Sequence, residues 1–236
     1  LEVVGINNIV IIQNKIDIVS EGRALENYRE IKEFVKGSVA ENAPIIPISA
    51  QQRINLEYVI EAIETHIPTP DRDPTKEPRM LVARSFDINK PGTPPRKLVG
   101  GVLGGSIIQG KLKVGDEIEI RPGVKVEDKW VSLMTEIVSL KKAGKTLKEA
   151  GPGGLLGVLT KLDPSLTKSD NLVGNVVGLP GKLPPVLNEL TIETHLLERV
   201  VGTQELKEVT PIKINEILMI NVGTARSIGT VTEMKG

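Results

Sequence analysis

Asn8-Ile9-Val10-Ile11-Ile12-Gln13-Asn14-Lys15-Ile16-Asp17 is the stretch whose reading decides the fold. Ile9 to Ile12 are β-branched without alternation, the pattern of a parallel strand covered on both faces. In an open α/β sheet such a strand delivers the residues after it to the carboxyl edge, where ligands bind, so Asn14, Lys15 and Asp17 are candidate site residues. An Asp held there accepts two hydrogen bonds from neighbouring N–H groups of guanine, the ring N1–H and the exocyclic amine, a pair that adenine lacks. A site built on such an acceptor discriminates by about 10⁴-fold or more, because the wrong base leaves a desolvated carboxylate unpaired. Asn14 can brace the loop and reach the base edge, while the aliphatic stem of Lys15 can lie across the base plane. A surface turn could use the same residues, and the tetrad alone does not separate the two.

Its context favours the nucleotide. A second apolar strand, Pro44-Ile45-Ile46-Pro47-Ile48, ends in Ser49-Ala50-Gln51, and the spacing leaves room for one crossover helix, making a βαβ unit. Ser49-Ala50 then lie where guanine-nucleotide-binding proteins present a backbone N–H to the guanine O6, with Gln51 beside them. Ala24, Tyr28, Ile31 and Val35, joined by Leu25 and Phe34, mark the crossover helix, with Ser20 as N-cap and Gly37 as terminator. Leu56, Val59, Ile60, Ile63 and Ile67 mark a second helix that Asn55 could cap, and His66 near its end reads as a surface residue at the negative end of the helix dipole.

Pro68, Pro70, Pro74 and Pro78 then impose a stiff extended connection. Beyond it short apolar runs alternate with Gly, Pro, Asn and Asp: Met80 to Phe86, Leu98 to Ile108, Glu117 to Ile120, Trp130 to Leu140, Leu155 to Leu162 and Leu172 to Val177. That spacing predicts an antiparallel barrel. From Pro184-Pro185 a new series, Leu190 to Leu197, Ile212 to Ile214, Ile217 to Val222 and Ser227 to Val231, looks like a second barrel cut short. The fold expected is multidomain α/β plus all-β: an α/β part with half a guanine site over 1–71, which the family resemblance given below implies is the C-terminal part of a GTPase domain, a β-barrel over 72–182, and the start of another barrel over 183–236.

With 236 residues, 39% hydrophobic and 25% charged, the chain has room for two domains and part of a third. No apolar run approaches a bilayer span, and no basic-then-apolar leader opens the chain, so no membrane partner is indicated and a cytoplasmic protein is expected. The absence of cysteine rules out disulfides and thiolate metal sites, and two isolated histidines argue against structural zinc. Net charge is zero but unevenly spread. Residues 1–77 hold 8 Lys+Arg against 13 Asp+Glu (net −5), 78–182 hold 17 against 10 (net +7), and 183–236 hold 5 against 7 (net −2). Electrostatics alone would bring a nucleic acid to the middle part, although a solvated surface explains the same excess.

Gly105-Ser106-Ile107-Ile108-Gln109-Gly110-Lys111-Leu112 almost spells a phosphate-binding loop, but Leu112 has no hydroxyl for Mg²⁺ and leads into a strand where a helix N-terminus is required. It reads as a barrel hairpin. No other Walker-type loop occurs, nor a strand followed by D-x-x-G that could hold Mg²⁺. This, with Leu1 in place of Met, leads to the expectation of a piece of a longer protein.

Several stretches together resemble the gamma subunit of archaeal and eukaryotic translation initiation factor two, with short loops of archaeal type. They are Gln13 to Asp17, Ala43 to Gln51, Arg84-Ser85-Phe86-Asp87-Ile88-Asn89-Lys90-Pro91-Gly92, Gly100 to Gly123, Gly153 to Gly157, Thr160 to Gly174 and Leu196 to Gly202. The Arg84 to Gly92 run is the most specific, because a generic elongation-factor barrel lacks it. The resemblance implies a GTP/GDP-switched carrier of methionylated initiator tRNA, in a heterotrimer with alpha and beta subunits, delivering it to the small ribosomal subunit. It implies that Asn14, Lys15, Asp17, Ser49, Ala50 and Gln51 hold the guanine. It also implies that Gly154, Leu155, Leu156, Gly157 and Val158 line the pocket for the tRNA terminal adenosine and its amino acid, with Lys90, Arg96 and Lys97 suited to its phosphates, while barrel core explains Leu155 and Leu156 equally well. Mg²⁺ belongs to the complete protein through ligands outside this sequence. Without phosphate and Mg²⁺ contacts this chain alone should not hydrolyse GTP, and no catalytic residue is assigned. An elongation-factor-like GTPase, or a non-catalytic barrel that docks a protein, are the alternatives.

Overall fold

Three-residue strands are too short to stand alone, and the first two survive by pairing with each other. β1 (Ile11–Gln13) runs parallel to β2 (Ile45–Pro47) in the register Ile11 to Ile45, Ile12 to Ile46 and Gln13 to Pro47, with α1 (Glu21–Val35) as the crossover. The structure, a computed structural model, describes residues 5–196 and 210–235. It divides into two units, Leu1–Asp71 and Arg72–Gly236. No helix among the described residues is long and apolar enough to cross a membrane.

In the first unit Ser20 caps α1 as the sequence predicts, its hydroxyl accepting from the Arg23 N–H at 3.3 Å. Gln13 ties β1 to the helix: its amide donates to Ala24 O at 2.8 Å and to Asn27 Oδ1 at 3.1 Å. The apolar stripe is narrower than its periodicity suggests. Val35 is buried, but Leu25 is half exposed and Phe34 is 86% exposed. α2 (Leu56–His66) buries Ala62 and leaves Ile60 and Ile63 open, and His66 is its exposed last residue. Asn55 does not cap α2 with its side chain. It adopts a left-handed conformation and sends its amide to Pro47 O at 2.8 Å, so it locks the helix start to the end of β2.

The second unit is built on β3 (Arg79–Phe86), β4 (Val102–Gln109), β5 (Leu112–Lys113), β6 (Glu117–Val126), β7 (Lys129–Lys142), β8 (Lys145–Leu147), β9 (Glu149–Ala150), β10 (Leu156–Thr160) and β11 (Val176–Gly178). The hydrogen-bonded order β10-β4-β3-β11-β6-β7 returns to β10, which closes a six-stranded antiparallel barrel and leaves β8 as an extension of β7. Met80, Val82, Leu103, Ile107, Ile118, Ile120, Ile137, Leu140, Leu156, Val158 and Val177 alternate inward to fill it. Each such side chain contributes about 1.5–3 kcal/mol on burial.

Several boundaries move. β4 starts at Val102, since Pro95–Lys97 form a 3-10 turn before it. β6 runs past Pro122 and Gly123 by means of a register shift between Ile120 and Val124. β11 begins at Val176, with Leu172 buried in the turn before it. The false phosphate loop is confirmed as strand and turn, but not as a hairpin: Gly110 turns the chain into β5, which pairs with β9.

In the last part no strand occurs over 190–196 or 210–214, while β12 (Ile217–Val222) and β13 (Ala225–Thr230) pair as a hairpin. Leu197 and the rest of the Leu196 to Gly202 segment lie outside the described residues. The segment after β11 is clamped to the barrel by an ion pair between a buried glutamate and a partly exposed arginine. Glu119, 3% exposed, accepts from the Gly181 N–H at 2.9 Å and from Arg121, whose Nη1 donates to Leu183 O at 3.0 Å and Pro184 O at 3.1 Å.

Asn175 is the polar keystone of the barrel. Its Oδ1 accepts from the Gly123 N–H at 2.6 Å, its Nδ2 donates to Leu172 O at 3.1 Å, and it is 4% exposed. Gly123 sits at φ 90°, where a Cβ would lie 1.9 Å from Val131 O. Asn175→Ala should therefore cost about 1–3 kcal/mol by stranding the Gly123 N–H, read as a lower urea midpoint at unchanged m-value.

Arg84 on β3 grips Asp170 through Nε at 2.9 and 3.1 Å, and the Ser85 N–H adds a 2.9 Å bond. The Arg84 hydrogen bond, reinforced by Ser85, holds the Asp170 carboxyl below its ordinary value. A depressed carboxylate stabilises the fold above its unfolded pKa of about 3.9 and loses that stabilisation as pH falls through the folded value. Asp170→Asn should flatten the stability-versus-pH curve below about pH 4 and leave its slope near neutrality unchanged, measured by urea unfolding at stepped pH.

Candidate functional site

The loop after β1 begins with a left-handed Lys15 at φ 67°, a conformation that costs a non-glycine residue about 1–2 kcal/mol. Asn14 offsets it. Its Oδ1 accepts from the Lys15 N–H at 2.8 Å and, across 36 residues of sequence, from the Ala50 N–H at 3.1 Å. The Ile16 N–H donates to Ile48 O at 3.2 Å, a second tie between the two loops. The sequence thus brings Asn14 and Ala50 together as expected. Asn14 Oδ1 is spent on the backbone, which leaves its amide N–H groups for a base edge. Asp17 lies in the 3-10 turn Ile16–Ile18, exposed and without a hydrogen-bond partner among the described residues, so both carboxylate oxygens can accept.

The second loop departs from expectation in detail. Ser49 is fully buried, its N–H donates to Ile54 O at 3.3 Å, and its hydroxyl accepts from the Gln52 N–H at 3.1 Å. Ser49 therefore shapes the turn and offers nothing to a ligand. The Ala50 N–H is held by Asn14, so a base oxygen would have to share it or take the Gln51 N–H, which is free among the described residues. Among the described residues no group of three or more His, Asp or Glu side chains gathers as a metal site.

On the barrel the alternation of β10 splits the proposed pocket residues into two sets. Leu156 and Val158 point inward, 4% and 0% exposed, so they are core and cannot touch a ligand on the outer face. Leu155, 76% exposed, and Gly157 face outward; Gly154 turns the chain before the strand at φ 67°. Gly157 pairs with Gly104 of β4 on one side and Lys141 of β7 on the other, and Gly104 pairs with Arg84 of β3. The outer face here is a floor of two glycines between Lys141 and an Arg84 already paired with Asp170. The sequence reading missed Arg84, Gly104 and Lys141, because only the strand register brings them beside Gly157.

Lys90, Arg96 and Lys97 lie on the loop between β3 and β4, exposed and without an ion-pair partner among the described residues. No carboxylate occurs between Asp87 and Asp116. Lys111, by contrast, is engaged with Glu149 at 2.9 Å.

Two family models match the chain: "Elongation factor Tu domain 2" over residues 100–178 and "Initiation factor eIF2 gamma, C terminal" over residues 188–236. Among solved structures, the bacterial selenocysteine-specific elongation factor EF-Sec aligns with TM-score 0.67 at 19% identity, covering 96% of this chain and 33% of that one. The elongation factor SelB of Methanococcus maripaludis, solved with a GTP analogue, aligns with TM-score 0.62 at 17% identity, covering 93% of this chain and 43% of that one. These two share the fold. The translation initiation factor 2 gamma subunit of Pyrococcus horikoshii is 63% identical over 99% of this chain and 58% of its own length. That of Archaeoglobus fulgidus is 64% identical over 100% of this chain and 56% of its own length. The chain thus spans under two thirds of the relatives it matches, and along that span it belongs to the family of translation initiation factor 2 gamma subunits.

Proposed function

We propose that this chain supplies the guanine-reading loops and the tRNA-facing barrel of an initiation factor 2 gamma subunit. In the whole protein these parts bind GTP or GDP and carry methionylated initiator tRNA, in the cytoplasm and with alpha and beta subunits, to the small ribosomal subunit. The observation that carries the reading is the high identity to archaeal gamma subunits along nearly the entire chain. The geometry supports it by the Asn14 brace between the two base loops and by the open Asp17 carboxylate. Asp17 accepts from the guanine N1–H and exocyclic amine, the Asn14 amide meets the base edge, and the Lys15 stem covers the ring. Residues outside this chain would hold Mg²⁺ and the phosphates, the cation neutralising phosphate charge. Outward Leu155 and Gly157 form the floor for the aminoacyl adenosine, and Lys90, Arg96 and Lys97 neutralise tRNA phosphates.

A protein-docking role for the same barrel is compatible with this. It is favoured by the exposed Trp130, Val131 and Met134 on the β6–β7 ribbon, 50%, 46% and 59% open.

Exchanging an acceptor for a donor reverses the base preference. Asp17→Asn in the full-length subunit should weaken GTP binding by about 10²-fold or more and admit xanthosine triphosphate in its place. Equal affinity of the parent for GTP and ATP in a competition titration would remove Asn14, Lys15 and Asp17 from the site.

The floor is tested by filling it. A Cβ at Gly157 meets only Lys141 O, at 3.8 Å, so Gly157→Val should keep the fold while obstructing the outer face. Affinity of the assembled heterotrimer for methionylated initiator tRNA should fall about tenfold, with the salt slope nearly unchanged because no phosphate contact is lost. Parental affinity, with an unaltered circular dichroism spectrum, would assign this face to a protein partner.

A further inference from the structure

The loop that carries Lys90, Arg96 and Lys97 is held shut by one side chain. Asn89 Oδ1 accepts from the Val99 N–H at 2.9 Å, and Asn89 Nδ2 donates to Val99 O at 2.8 Å. A side-chain amide thereby pairs with both backbone groups of a residue ten positions on, as a neighbouring strand would. The amide is aimed by Asp87, whose Oδ1 accepts from Asn89 Nδ2 at 2.7 Å and from the Asn89 N–H at 2.8 Å. Inside the closure the chain has little freedom. Pro91, Pro94 and Pro95 fix their φ angles, Thr93 donates through N–H and hydroxyl to Lys90 O at 3.1 and 2.7 Å, and the Lys97 N–H donates to Pro94 O at 2.8 Å. The three cations are therefore mounted on a loop of fixed shape, although each side chain is exposed.

Fixed shape matters for a polyanion. Counterion release counts the phosphates neutralised together, so cations held at set spacing engage as a group, while those on an open loop engage one at a time and pay ordering entropy on binding. We infer that Asn89 is a positioning residue for tRNA binding, closing the 89–99 loop so that Lys90, Arg96 and Lys97 meet the phosphates simultaneously. The inference rests on the tRNA-carrier reading above. Asn89 itself has no donor left for a phosphate, since its N–H and both N–H bonds of Nδ2 are used locally.

The experiment is a mutant cycle in the full-length subunit, titrated with methionylated initiator tRNA at several salt concentrations. Asn89→Ala should lower affinity about three- to tenfold and reduce the salt slope by about two, with thermal unfolding of the barrel unchanged. Asn89→Asp keeps the acceptor for the Val99 N–H but sets a carboxylate against Val99 O and Asp87, and should lose at least as much. In a background of Lys90→Ala, Arg96→Ala and Lys97→Ala, neither Asn89 variant should have a further effect. A purely structural role would lower affinity equally in both backgrounds and leave the salt slope intact, and that additivity overturns the inference while sparing the carrier reading. If the triple variant itself binds tRNA with parental affinity and slope, the loop is not a tRNA site, and both the inference and this part of the carrier reading fall.

Discussion

Barrel closure is the constraint on which most of this molecule depends. β10 pairs with β4 on one edge and β7 on the other, so no strand of the ring is left with an open row of N–H and C=O groups. That closure fixes which residues face inward, and so it decides which part of the Gly154 to Val158 segment can meet a ligand. It also sets the row Arg84, Gly104, Gly157 and Lys141, which are distant in sequence and adjacent only through register. Among the polar contacts that accompany closure, the buried Asn175 joins the β6 bulge to the turn before β11. A bulge leaves a backbone donor without a ladder partner, and a single amide side chain meets that need.

The α/β unit works on a smaller scale but by a similar economy. Two strands of three residues carry two loops, and one Asn oxygen holds both loops at a common position. The left-handed Lys15 and the buried Ser49 belong to that arrangement: the first lets the chain turn immediately after the strand, and the second spends its polar atoms on the turn at 49–54. Among the polar groups left unspent in the two loops are the Asp17 carboxylate, the Asn14 amide nitrogen and the Gln51 N–H.

Much of this was legible in the sequence, because local periodicity reports burial. The crossover helix capped by Ser20 lies where its apolar spacing indicates, and all six barrel strands overlap their apolar runs, β3, β7 and β10 to within two residues at each end, whereas the run Ile9 to Ile12 is strand only from Ile11 and leaves Ile12 45% exposed instead of covered on both faces. The rest was hidden for identifiable reasons. Pro122 and Gly123 look like a strand end, but a bulge carries β6 through them. Gly-Gly-Leu-Leu-Gly-Val-Leu has no polar residue to set the phase of its alternation, so inward Leu156 and outward Leu155 could not be told apart. Phe34 and Leu25 fit a helical stripe whose inner face is narrower than the stripe itself. Asn89 belongs to a stretch that marks the family, yet its closure of the loop depends on Val99 being brought back to it, which no pattern encodes.

The clamp formed by Glu119 and Arg121 has a consequence for the geometry of the chain downstream. Because the backbone from Gly181 to Pro184 is hydrogen-bonded to β6 side chains, the direction in which the chain leaves the barrel is a property of the barrel wall. Burial raises the cost of a charged Glu119, but the Gly181 N–H and the Arg121 guanidinium outweigh it and hold the carboxyl below its ordinary value. Inserting residues beyond Pro184 would then lengthen the reach of the downstream chain without redirecting it, as a longer arm on an unmoved pivot.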